Sequence, residues 1–272
     1  MNSRGELCAA FRNCTGLTSI NLPDSILEMD TTFYGCTGLT SVVVPNNVKT
    51  LDSTFYGCTK LSSVTLPNNL ETLSGTFCNC PLLKNITIPS SVYTIGKQTF
   101  MKCTGLTAIS LPKIVTSIGE QAFSGCTGLK TIIIPDSVTS IGSSAFNGCT
   151  NLASIEMSDN LEELGSSAFN GCSYLTSIVL PEGVTQLNGS TFYKCNRLNT
   201  IDIQGKITSI DNNEFYYCSA LKELNLDSLT GEIGFSVFAR TNNLTELYLP
   251  DGITKIGQEA FYQGAAPVRQ IR

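Results

Sequence analysis

The chain has 272 residues, of which 42% are hydrophobic and only 14% are charged. This apolar content is enough for a sizeable core and excludes a disordered chain. The formal net charge is −5, and the charged residues form no block of like sign. Both facts argue against nucleic acid or an anionic membrane surface as a partner. No run of roughly eighteen apolar residues occurs, so the sequence predicts no membrane insertion.

Phenylalanine recurs at a nearly constant interval along the whole chain. Three steps of 22 residues and then eight of 23 separate Phe11, Phe33, Phe55, Phe77, Phe100, Phe123, Phe146, Phe169, Phe192, Phe215, Phe238 and Phe261. A fixed period in this range is typical of a solenoid. Because no composition break interrupts the series, residues 1–272 are predicted to form a single solenoid of about eleven to twelve coils. The array starts and stops in mid-unit, so we expect a fragment of a longer protein; the alternative is that the irregular last two coils form a cap.

Each unit also carries the pattern L-x-x-I-x-L, for example Leu129, Ile132 and Ile134. This alternation predicts a short strand with one buried face. A proline usually ends the strand, because it has no N–H for a strand ladder. An x-x-V-x-x-I segment follows, and its apolar pair is expected to face the core from the opposite wall.

The 23-residue units have Gly, Asn or Asp four residues before Phe, as at Gly142. These residue types tolerate positive φ best, so a left-handed residue is predicted at that position. The 22-residue units lack one residue in the same corner. The segment S-S-A-F-N-G is expected to form one helical or 3-10 turn that inserts Phe into the core.

Ten cysteines each follow a phenylalanine by three residues, in the column Cys14, Cys36, Cys58, Cys80, Cys103, Cys126, Cys149, Cys172, Cys195 and Cys218. We interpret them as small buried hydrophobes whose S–H donates to a carbonyl one coil along. Side-by-side Cβ vectors give poor disulfide geometry, and a straight row cannot converge on a metal ion. Cys8 and Cys78 lie outside the column and are predicted to be more exposed or more easily oxidised, although ordinary tolerated substitution explains them too.

The combined pattern L-x-x-I-x-L-P-x-x-V-x-x-I-G-x-x-A-F-x-G-C resembles the BspA-like leucine-rich repeats over residues 7 to about 264. The expected fold is therefore an α/β solenoid with one short parallel strand per 22–23-residue coil and short helical or 3-10 turns on the other side. The resemblance also implies a surface protein of oral or gut bacteria, or of parasitic protists, that adheres to host proteins or other cells. Ser158, Gln204 and Asp227 depart from the pattern by replacing the proline.

Histidine is absent from the chain. A Ser-His-Asp triad, a Cys-His pair and an H-E-x-x-H zinc site are therefore excluded. No glycine-rich phosphate-binding loop stands between a strand and a helix. We predict a protein without catalytic residues, metal site or cofactor.

The concave strand face is the expected ligand surface, through the outward residues that flank the central apolar position of L-x-x-I-x-L. Its C-terminal half is acidic, and the predicted ligand-binding residues are Glu156, Asp202, Glu223, Glu246 and Tyr248. This set favours a basic protein ligand, such as a host matrix protein or another cell-surface protein, and an extracellular, cell-surface location. The alternative is a structural spacer or an intracellular protein–protein interaction scaffold without a ligand in this region. Exposed solenoid ends would also permit end-to-end self-association.

Overall fold

The computed structural model describes residues 6–245, 247–264 and 268–270. Eighteen short strands alternate with turns in this part of the chain. In chain order they are β1 (Ser41–Val43), β2 (Thr50–Asp52), β3 (Ser63–Thr65), β4 (Thr72–Ser74), β5 (Thr94–Ile95), β6 (Ser117–Ile118), β7 (Thr131–Ile133), β8 (Ser140–Ile141), β9 (Ser154–Glu156), β10 (Glu163–Leu164), β11 (Ser177–Leu180), β12 (Gln186–Leu187), β13 (Thr200–Ile203), β14 (Ser209–Ile210), β15 (Glu232–Ile233), β16 (Leu247–Leu249), β17 (Lys255–Ile256) and β18 (Val268–Gln270).

The strands form two parallel walls of a leucine-rich repeat solenoid. The L-x-x-I-x-L segments, here called first strands, pair as β1–β3, β7–β9, β11–β13 and β16–β18. The V-x-x-I segments, here called second strands, form a six-stranded sheet of β2, β4, β5, β6, β8 and β10 and a four-stranded sheet of β12, β14, β15 and β17. In every pair the partners occupy the same position in their coils, as in Ile118↔Ile141. The predicted parallel solenoid is therefore confirmed.

Two details of the coil differ from the sequence prediction. Most coils contain a second strand, because Ser or Thr next to Ile or Leu at the end of V-x-x-I pairs with the same residues one coil along. The corner around Phe contains turns, and no described residue belongs to a helix. The amides of Ala145 and Asn147 bond three residues back within the coil, whereas those of Phe146 and Gly148 bond to the next coil. A helix would need all of these amides for its own ladder.

The phenylalanine rings form one continuous column through the core. Twelve rings, from Phe11 to Phe261, stack with centroids 5.2 to 5.8 Å apart. The ten rings from Phe33 to Phe238 are fully buried. Stacked aromatic pairs add about 0.5–1.5 kcal/mol each beyond the area that they bury. The column therefore links every coil to both of its neighbours.

The column cysteines have the predicted packing role. Nine of them, from Cys36 to Cys218, donate Sγ–H to the phenylalanine carbonyl of the preceding coil at 2.9–3.2 Å. Burial raises the pKa of these thiols, to about 12 for Cys149. All twelve cysteines are free thiols. Cys8 is exposed as expected, but the prediction for Cys78 is wrong, because its side chain is fully buried; the column member Cys14 is exposed instead.

The left-handed residues of each coil lie two residues on either side of Phe. Around Phe146 they are Ser144, with φ of 56°, and Gly148, with φ of 70°. The prediction of positive φ at Gly142 and its equivalents is wrong. A Cβ atom at Gly142 would lie 2.6 Å from the backbone nitrogen of Glu120, so glycine is needed there because the neighbouring coil approaches closely. The extra residue of the 23-residue units lies between the second strand and Phe, as predicted. Leu73 pairs with Ile95, 22 residues later, whereas Phe77 stacks on Phe100, 23 residues later.

A buried carboxyl group stands directly before one Phe, at a position that holds Thr in the N-terminal coils from Thr32 to Thr99 and Ala in the next three. In the N-terminal coils these threonines donate to a carbonyl of the preceding coil, as Thr54 does to Met29 O at 3.0 Å. Glu214 occupies the same position in a later coil and is fully buried. Its Oε2 accepts from the Thr191 amide at 3.1 Å, while its Oε1 and Thr191 Oγ1 have no hydrogen-bond partner. Burial raises the pKa of the Glu214 carboxyl to about 8.

The phenylalanine column leads to a stability prediction. We expect Phe146→Ala to lower the free energy of unfolding by about 3–5 kcal/mol, because it leaves a cavity and removes two ring contacts. The control Ile133→Ala changes a side chain that is 62% exposed and should cost less than about 1 kcal/mol. Urea unfolding followed by circular dichroism measures both. Equal losses for the two variants would contradict the role of the column.

Thiol accessibility provides a second prediction. An aromatic disulfide reagent that releases a coloured thiolate should modify two cysteines in the folded protein, Cys8 and Cys14, and all twelve after unfolding. The buried thiols are protected because burial disfavours the reactive thiolate. Double replacement of Cys8 and Cys14 by Ser should abolish the native signal. A third thiol that reacts at a comparable rate in the folded protein would refute the packing assignment.

The buried Glu214 carboxyl predicts an unusual dependence of stability on pH. Its folded-state pKa of about 8 lies above the ordinary value of 4.5, so between these values the folded state binds more protons than the unfolded state. The stability that this group contributes is present below about pH 4.5 and is lost as the pH rises towards 8, with a slope of up to about 1.4 kcal/mol per pH unit.

The matched variant Glu214→Thr introduces the residue that occupies this position one coil earlier, Thr191, and should remove this component. The measurement is the difference in unfolding free energy between the wild type and the variant, taken at several pH values from 5 to 8. A difference that does not change with pH would show that the carboxyl does not titrate in this range.

Candidate functional site

The outward residues of the first strands form two exposed columns, as the sequence predicts. Along β11, Ser177 and Val179 are exposed while Ile178 and Leu180 are buried. Val179 pairs with Asp202 of β13, so equivalent outward residues of successive coils lie next to one another. Parallel strands are about 4.8 Å apart. Residues two coils apart on this first-strand face can therefore contact the same ligand.

Three predicted site residues line one depression of about 750 Å³ on the first-strand face. Asp202 and Tyr248 belong to one outward column and are separated by two coils, whereas Glu223 lies on the coil between them. Lys222 and Asp227 line the same depression. Its charged groups are thus three carboxylates and one ammonium group, and Tyr248 is 43% exposed. We call this surface the acidic depression.

The acidic depression lies at one of the interruptions between the first-strand ladders. Residues 221–226 form no strand, although β13 precedes them and β16 follows them. In this coil Asp227 replaces the usual proline, and its amide bonds to Asn225 Oδ1 at 2.8 Å. The backbone of this coil therefore uses a local side-chain acceptor, and the irregular segment from Lys222 to Asp227 lines the depression.

Glu156 lies apart from the other predicted site residues. It lines a second depression of about 550 Å³, together with Thr131, Ile133 and Lys113. Ile133 pairs with Glu156 in the β7–β9 ladder and exposes 62% of its side chain. This second surface is more apolar, and the predicted acidic set is therefore split between two depressions. Glu246, the remaining predicted residue, lies outside the described residues.

Sequence reasoning missed several members of the acidic depression. Lys222 and Asp227 were not included in the predicted set, although the replacement of proline by Asp227 is visible as a break in the repeat. Val179 also lines the depression and is 44% exposed. The sequence feature that could have identified Val179 is the column of outward residues, in which this apolar side chain lies next to acidic ones. Buried Glu214 carries a perturbed pKa but belongs to the core and contacts neither depression.

The described residues contain no group of three or more His, Cys, Asp or Glu side chains arranged to hold a metal ion. The carboxylates of the acidic depression are exposed and lie on two successive coils. Such an arrangement can attract and orient a cationic surface, since complementary charges steer association and fix register. Within the described part of the chain, no helix is long and apolar enough to cross a membrane.

Comparison with known proteins agrees with this architecture. A family model described as the BspA type leucine rich repeat region matches six copies, over residues 8–76, 73–170 and 150–266. No curated protein matches the sequence.

Several solved structures resemble the chain over most of its length. A leucine-rich repeat protein from Bacteroides ovatus is 21% identical, with a TM-score of 0.61 over 94% of this chain and 92% of that one. A leucine-rich repeat protein from Eubacterium ventriosum is 20% identical, with a TM-score of 0.59 over 92% and 81%. A leucine rich cell surface protein from Faecalibacterium prausnitzii is 28% identical, with a TM-score of 0.52 over 92% and 68%. The repeat pattern, the stacked coils and the family match over nearly the whole chain place this protein in the BspA-type leucine-rich repeat family.

Proposed function

We propose that the chain is a non-enzymatic protein-binding module of a cell-surface protein, and that its acidic depression contacts a basic surface of a protein ligand. The observation that carries this proposal is the grouping of Asp202, Glu223 and Asp227 around a single lysine on the first-strand face. Tyr248 adds a large amphipathic side chain beside these carboxylates. Tyrosine is enriched among the residues that dominate binding energy in protein interfaces.

The extracellular location in this proposal is supported by similarity to the cell-surface protein of Faecalibacterium prausnitzii. Adhesion to a host matrix protein or to another cell-surface protein is the matching role. The stacked coils support a rigid recognition surface, because the outward residues stand on a continuous buried core. Rigid sites lose little conformational freedom when a partner binds. End-to-end self-association stays a prediction.

The test uses purified fibronectin, laminin and collagen immobilised on a sensor surface. We expect at least one of them to bind the wild-type chain, and Glu223→Lys to weaken that binding by about tenfold or more, since it places a positive charge opposite a basic partner. Tyr248→Ala should weaken binding to a similar degree by removing the aromatic contact. Thermal unfolding of each variant verifies that the fold is retained.

The matched control is Glu163→Lys, which makes the same charge change at an exposed residue of β10 on the second-strand wall. It should leave binding unchanged. Equal weakening by Glu163→Lys would indicate a general charge effect rather than a site. Binding that survives both Glu223→Lys and Tyr248→Ala would reject the acidic depression, and no binding to the whole panel would favour a structural spacer.

A further inference from the structure

The charged residues of this acidic protein are strongly segregated within the coil. We define the corner segment of each coil as its Phe and the next seven residues. None of the 22 Asp and Glu residues lies in a corner segment, whereas 9 of the 17 Lys and Arg residues do. These nine are Arg12, Lys60, Lys84, Lys102, Lys130, Lys194, Arg197, Lys222 and Arg240. Because the coils stack in register, their corner segments form one long edge of the solenoid, which we call the basic edge.

The cations of the basic edge are available to a ligand. Eight of the nine side chains are exposed, and Arg240 is half-buried. The two ion pairs of the described residues, Lys49–Glu71 and Lys255–Glu232, both lie outside the corner segments. Arg240 has a buried Nε that lacks a hydrogen-bond partner within the described chain. Apart from Lys222, which also lines the acidic depression, the edge is therefore a set of positive charges without intramolecular carboxylate partners.

Tyrosines accompany these cations. Seven of the nine tyrosines of the chain lie in corner segments: Tyr34, Tyr56, Tyr174, Tyr193, Tyr216, Tyr217 and Tyr262. Their ring faces are largely occupied, since Tyr34 stacks on Tyr56 at 4.6 Å and Tyr193 on Tyr216 at 4.9 Å. The guanidinium of Arg197 covers Tyr174 at 3.7 Å.

The occupied ring faces make single-stranded nucleic acid a poor ligand for this edge. Single-stranded nucleic acid binds mainly by stacking its bases on free aromatic faces, and few such faces remain on this edge. The stacked tyrosines still offer phenolic hydroxyls as donors and acceptors of hydrogen bonds. The available chemistry is thus positive charge combined with hydroxyl groups.

We propose that the basic edge binds a linear anionic polysaccharide, sulfated or carboxylated, which lies along the stack of coils. Such a polymer presents anionic groups along its whole length, and the nine cations are distributed over eight of the twelve corner segments. Its hydroxyls can hydrogen-bond to the tyrosines and to the many Thr and Asn side chains of the corner segments. The segregation of charge explains how a chain with a net charge of −5 can attract a polyanion, since local potential rather than net charge governs contact within about one Debye length.

Heparin, a sulfated polysaccharide, serves as the probe in a calorimetric titration of the full chain at low and at moderate salt. We expect binding that weakens steeply as salt increases, because each Lys–anion contact releases counterions. The triple variant Lys60→Gln, Lys84→Gln and Lys130→Gln should lower the affinity by about tenfold or more and flatten the salt dependence.

The control is the triple variant Lys97→Gln, Lys113→Gln and Lys206→Gln, which removes three exposed lysines outside the corner segments. It changes the net charge equally and should leave heparin binding unaltered. Absence of heparin binding at low salt, or equal weakening by the two triple variants, would overturn the proposal. Tighter binding of oligothymidylate or poly-glutamate than of heparin would also overturn it, because a nucleic acid or an acidic polypeptide would then be the preferred class.

The variant Glu223→Lys distinguishes this edge from the acidic depression, since it should not weaken heparin binding.

Discussion

Stacking of the coils in register is the constraint on which the rest of the structure depends. Alternate amides around each Phe bond to the next coil rather than within their own, and this pattern holds the rings 5.2 to 5.8 Å apart. The same pattern requires left-handed backbone at Ser144 and Gly148 and their equivalents. It also brings coils so close together at Gly142 that no Cβ fits there. The phenylalanine, the cysteine and the glycine of the repeat are thus consequences of one packing geometry.

Much of this geometry could be predicted from the sequence because each coil repeats the same residue pattern and the same packing. The period identified the solenoid, the L-x-x-I-x-L alternation identified the first strands, and the recurrence of one cysteine per coil led to a packing role for the cysteines. The second strands were missed because segments such as Ser140–Ile141 are only two residues long, and pairing with adjacent coils rather than local propensity stabilises them. The sign of φ at Gly142 was also mispredicted, since glycine serves either a left-handed backbone or a close approach and sequence does not distinguish the two.

The candidate site was predicted less completely than the fold. The outward columns were identified correctly, and they bring Asp202, Glu223 and Tyr248 together. The same columns place Glu156 in a separate depression beside Ile133. A column gives the direction in which a side chain points, but the depth of the surface depends on whether neighbouring strands pair. At residues 221–226 the missing strand coincides with a departure from the consensus, Asp227, but the segments around Ile86 and Ile109 also lack strands although Pro89 and Pro112 keep the consensus. The repeat pattern alone therefore does not show where pairing is lost.

The acidic depression shows how the solenoid can vary its surface without losing its core. The first-strand ladder is interrupted at residues 221–226, yet Phe215 still stacks on Phe238 at 5.5 Å. On the opposite wall, Ile210 still pairs with Ile233 across the same coils. The phenylalanine stack and the second-strand pairing between these coils therefore persist where the first-strand pairing is absent. Because stability in a stacked array is a sum over neighbouring interfaces, a local loss of pairing costs only part of one interface. The first-strand face is accordingly where this fold can change its recognition surface at the lowest cost in stability.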